Sequence, residues 1–132
     1  MNYHGTKTVY LFGNPDLPYD AVPVELFGPL ARKFPDMNFR VVDPNELDLP
    51  TEDEDVIIID TVEGLAAPRF ISIDEIAQLK ARVTAHDFDL GSFLLLAQKM
   101  NKNIAIQIIG IPMSYDAGRA LDEIKPLLSS LA

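Results

Sequence analysis

Four β-branched residues in succession, Val56-Ile57-Ile58-Ile59, constrain this chain more than any other stretch. A run of that kind offers no polar face to water, so it reads as a strand buried on both sides. Such strands belong to mostly parallel sheets with helices above and below. The run meets Asp60, where the strand is predicted to stop, and Gly64 and Pro68 mark an irregular loop beyond it. In open α/β sheets, ligands bind just outside the carboxyl ends of the strands. Asp60 is therefore the first candidate for chemistry. A turn-forming or helix-capping Asp has the same signature, and that reading stays open.

The remaining elements follow from punctuation and periodicity. Residues 7–12 read as a first strand, ended by Gly13-Asn14-Pro15-Asp16. Val24, Phe27, Leu30, Ala31 and Phe34 fall on one helical face, with Pro23 suited to a first turn and Gly28-Pro29 predicting a kink. Residues 38–42 form a short second strand running into Asp43-Pro44, and the acidic stretch 45–54 reads as a solvated connection. Further strands are predicted over 69–73 and 104–111. Helices are predicted over 74–82, over the strongly apolar 88–100, and through a last stripe from Ala117 to Leu131 that Pro126 should bend. No repeat or linker divides the chain, so residues 1–132 are expected to form one domain. The alternation implies an α/β three-layer sandwich: a mostly parallel, twisted sheet of about five strands flanked by helices. Its expected order begins 2-1-3, which brings the loops after the first and third strands to one crevice.

Eleven basic against twenty acidic residues leave a formal charge of −9. That charge argues against nucleic acid or an anionic membrane as partner, since both call for a basic patch. With no cysteine there is neither a disulfide framework nor a thiolate metal site. No stretch is apolar enough to span a bilayer, and the amino terminus lacks the apolar core of a signal peptide, so a cytoplasmic location and a monomer are expected.

Asp20, Asp60 and His86 occupy the loops on the carboxyl side of the expected sheet. Two carboxylates and an imidazole suit Zn, Ni, Fe or Mn, and a catalytic site keeps an open coordination position. By residue type alone the set is weak evidence, because loop His and strand-end Asp residues usually cap or turn. Serine chemistry has no support: Ser92 lacks a Gly-x-Ser-x-Gly turn.

Taken together, these pieces resemble the hydrogenase maturation proteases. Family members carry Gly-Asn after the first strand and an acidic residue six places past the Asn, as in Gly13-Asn14 and Asp20. They carry a buried strand ending in Asp, then a Gly and a Pro, as in Ile57 to Asp60, Gly64 and Pro68. They carry a His ahead of a Leu-rich helix, as His86 stands ahead of Leu90 to Leu96, and a last strand like Ile108 to Pro112. The resemblance implies an endopeptidase that removes the C-terminal extension of a NiFe-hydrogenase large-subunit precursor after nickel insertion. It implies nickel, supplied by the precursor, held by Asp20, Asp60 and His86, with Asn14 and Asp43 binding substrate. Zn or Cd could occupy the site in isolation. Tyr19, Ala21 and Pro44 depart from the family pattern around these positions and alter the expected cleft wall. Two alternatives stand beside this reading: a receiver-like domain phosphorylated at Asp60, and a non-catalytic relative acting as a binding module. The first lacks an acidic pair after strand one and a Lys after the last core strand.

Overall fold

The computed structural model describes residues 7–13, 21–42, 55–75, 99 and 105–131. In chain order these form β1 (Thr8–Phe12), α1 (Val22–Glu25), α2 (Phe27–Lys33), β2 (Asn38–Val42), β3 (Asp55–Val62), β4 (Arg69–Ile71), β5 (Ala105–Pro112) and α3 (Ala117–Leu131). The five strands make one sheet in the order β2-β1-β3-β5-β4. β2, β1, β3 and β5 are parallel, and β4 runs antiparallel along the outer edge of β5. The expected 2-1-3 order is therefore present, and it reverses direction between β1 and β3.

Alternation along the central strands divides the core in two. Val9, Leu11, Ile57, Ile59, Ile109 and Ile111 face one side, where Leu26 and Leu30 and the α3 stripe Ala120, Ile124, Leu128 close over them. Tyr10, Phe12, Ile58, Val62, Ile71 and Ile108 make the second cluster on the opposite face. Ile58 and Ile59 are both fully buried, one on each face, which is why this segment carries no polar residue until Asp60. Burial of each such side chain stabilises the fold by roughly 1.5–3 kcal/mol.

Several expectations are corrected. β3 does not stop at Asp60: it continues through Thr61 and Val62, paired with Ile111 and Pro112 of β5. The ladder is a backbone property, and β5 goes on offering partners after the ladder with β1 has ended. The break in the first helical segment falls at Leu26, earlier than the Gly28-Pro29 pair. Pro29 has no N–H to give the Glu25 carbonyl, so the discontinuity appears one turn before the proline that causes it. β4 ends at Ile71, because the Ser72 hydroxyl accepts the Glu75 N–H at 3.1 Å and starts a helical turn there. The last helix has the expected span, Ala117 to Leu131, with Pro126 inside it. Beyond 73–75, the predicted helices over 74–82 and 88–100 lie outside the described residues, apart from helical Lys99. No helix among the described residues is long and apolar enough to cross a membrane.

Candidate functional site

The carboxyl ends of β1 and β3 meet where the strand order reverses. The β1–β3 ladder finishes with Leu11 opposite Ile59, so Asp60 is the first residue of β3 beyond that ladder. On its other side Asp60 is paired with Gly110 of β5. Its neighbours in the alternation, Ile58 and Val62, belong to the second core cluster, which places Asp60 on that face of the sheet. Only 3% of Asp60 is accessible. A carboxylate this deep costs several kcal/mol to desolvate unless cations or hydrogen-bond donors compensate it, so the position is a demanding one for a simple turn residue. Thr61, also buried, faces the first cluster.

The chain leaves β1 through buried Gly13 and returns at Ala21, the residue before α1. α1 packs against both β1 and β3, with Val22 in the first core cluster. Asn14, Asp20, Asp43 and His86 themselves lie outside the described residues. Among the described residues, no group of three or more His, Cys, Asp or Glu side chains is gathered for a metal ion.

The β3–β4 connection, residues 63–68, was expected only as an irregular loop. Because β5 lies between β3 and β4, this connection passes over the carboxyl end of β5. Gly64, at φ +91°, makes the turn that begins it, a conformation open to glycine at little cost. A second cluster stands beside it. The Tyr115 hydroxyl donates to Glu123 Oε1 at 2.8 Å and lies 3.5 Å from the Ala66 carbonyl oxygen. Arg119 stacks over the Tyr115 ring at 4.1 Å and donates from Nε to Glu123 Oε2 at 3.2 Å. Burial raises the Tyr115 hydroxyl above its ordinary pKa, and the hydrogen bond to Glu123 adds to the effect. The sequence signal was available: 115, 119 and 123 fall four apart, with Tyr115 just ahead of α3 and Arg119 and Glu123 on one face of it.

No family model matches the sequence, and no curated protein sequence matches it. Solved structures do match. The crystal structure of the hydrogenase 3 maturation protease superposes with a TM-score of 0.57 at 22% identity, covering 82% of this chain and 73% of that one. A hydrogenase 2 maturation peptidase from a Thaumarchaeota archaeon superposes with a TM-score of 0.59 at 18% identity, covering 96% of this chain and 98% of that one. The fold is that of the hydrogenase maturation peptidases. In the maturation-peptidase fold as this chain has it, Asp60 sits at the switch point of the sheet. The antiparallel β4 separates this arrangement from the all-parallel 2-1-3-4-5 order of receiver-type domains. With that difference the phosphoacceptor reading loses its architectural support.

Proposed function

We propose that the chain is a metal-dependent endopeptidase that trims the C-terminal extension of a NiFe-hydrogenase large-subunit precursor once nickel has been inserted. The observation that carries this reading is the burial of Asp60 at the β1–β3 switch point of a maturation-peptidase fold. Asp20, Asp60 and His86 would hold the nickel that the precursor presents. Two carboxylates and one imidazole are a donor set that a borderline divalent ion accepts, and they leave positions for the precursor's own ligands. A metal so held acts as a Lewis acid on a neighbouring carbonyl or water. Asn14 and Asp43 line the substrate in this reading. Metal loading of the precursor then becomes the condition for its cleavage, because three protein ligands alone leave the ion incompletely coordinated.

The test is incubation with nickel-loaded and nickel-free precursor, read as loss of the C-terminal peptide. Cleavage of the loaded form alone is expected, and equal rates on both forms would remove the nickel mechanism. His86→Ala is expected to abolish processing while leaving the unfolding midpoint close to that of the parent. A large fall in stability instead, with residual processing, would make His86 a structural residue.

A further inference from the structure

β4 is the last strand of the described sheet, with β5 on its inner side. An edge strand of an antiparallel pair turns the N–H and C=O of every second residue away from its partner, where another strand can take them up. In a strand as short as Arg69–Ile71, either Phe70 faces outward or its two neighbours do. The Phe70 carbonyl oxygen accepts Arg69 Nη1 at 3.3 Å, which marks Phe70 as the outward-facing residue. Its ring is exposed too, the only large apolar side chain of β4 to be so.

Ile71 belongs to the second core cluster, so Arg69, two residues before it, rises on that same face, opposite Gly110. The slot over Gly110 is filled by Ile71 and Leu65: a Cβ at 110 would overlap Ile71 Cδ1 and would stand 2.8 Å from Leu65 Cδ1. The Arg69 guanidinium reaches the rim instead, where Nη1 donates to Glu75 Oε1 at 3.0 Å and Nη2 to Glu75 Oε2. Glu75 is held in turn by its own N–H, which donates to Ser72 Oγ at 3.1 Å. The Arg69 and Glu75 side chains are 48% and 37% exposed, and an ion pair this wet adds little to stability. Its consequence lies in where it holds the guanidinium.

From this arrangement we infer that Arg69, braced by Glu75, guards the β4 edge against pairing with a second copy of this chain. The edge is self-complementary. Two copies of β4 meeting antiparallel about a two-fold axis would set Phe70 against Phe70, each giving its N–H to the other's carbonyl. The two exposed rings would then stand side by side. In the intact protein that carbonyl is already taken, and a joining strand must first displace a charge-assisted donor. The inference is independent of the peptidase reading.

Arg69→Ala removes the guard, and Glu75→Gln keeps the guanidinium while loosening its brace. Sedimentation velocity over a range of concentrations reads self-association, and hydrogen exchange of the Phe70 amide reads whether β4 is the joint. The parent is expected to be monomeric, with Phe70 exchange independent of concentration. R69A is expected to associate about tenfold more tightly, with Phe70 exchange slowing as concentration rises, and E75Q should fall between the two. An R69A protein as monomeric as the parent would overturn the inference, as would one that associates while its Phe70 amide stays unprotected. A parent already paired through Phe70 would overturn it too. Should circular dichroism show R69A unfolded, E75Q decides: association with protection at Phe70 supports the guard, and parent-like behaviour removes it.

Discussion

Tyr115 shows how much one side chain can be asked to do. Its ring belongs to the core, its hydroxyl is tied to Glu123, and Arg119 covers its open face. The folded chain holds the phenolic proton more tightly than the unfolded one does. The resulting stabilisation is complete below the ordinary tyrosine pKa of about 10 and is lost as pH rises through the folded value. Absorbance titration at alkaline pH should therefore show Tyr115 ionising late, as a late component that is lost in Tyr115→Phe. Ile59 makes a simpler demand. Truncation to Ala at this fully buried central position should cost about 2–5 kcal/mol in urea unfolding. Ile59 was legible as core from its place in an unbroken β-branched run. The slot at Gly110 was only half legible. A glycine inside a strand signals close approach of something, but Leu65 and Ile71 fill the slot from outside the strand, and pattern alone does not name the visitor.

Among the elements, those with a single strong pattern were read well, and those set by competition were not. β2 has the predicted bounds, and β1 differs from the prediction by one residue. β3 ran past Asp60, because the sequence marks a polar residue while the ladder follows the available partner. α3 is the instructive helix. Its stripe of Ala120, Ile124 and Leu128 is fully buried, and Pro126 stands exposed within it, unable to donate to the Asp122 carbonyl. Packing of the stripe thus outweighs a residue that costs about 3 kcal/mol in a helix interior. Pro126→Ala should restore that donor and raise the urea midpoint, with a gain of about 1–3 kcal/mol. A fall in the midpoint would mean that the proline's rigidity in the unfolded chain matters more.

For the molecule as a whole, the parallel sheet, its opening 2-1-3 order and the crevice at its switch point all followed from alternating elements. The antiparallel β4 did not, although a clue was present. Six residues, 63–68, separate β3 from β4, and a parallel crossover needs a dozen or more. Of the proposed ligands only Asp60 falls among the described residues, and its place at the switch point was legible from the β-branched run that leads to it. All five strands share one sheet, with β3 and β5 at its heart. Thermal or urea unfolding should accordingly show one transition, coincident by circular dichroism and by tyrosine fluorescence. Two separated transitions would divide the chain into independent units.

The insertion of β5 between β3 and β4 also sets a timetable. Two strands that are close in sequence must remain apart until a third, made more than thirty residues later, slides between them. A nascent polypeptide emerging from the ribosome therefore has no complete sheet to rest on until position 112 has cleared the exit tunnel. Until then the arch of residues 63–68 spans nothing. Synthesis stalled short of that point should yield a protease-sensitive product, and extension through α3, which covers the first core cluster, should make it resistant.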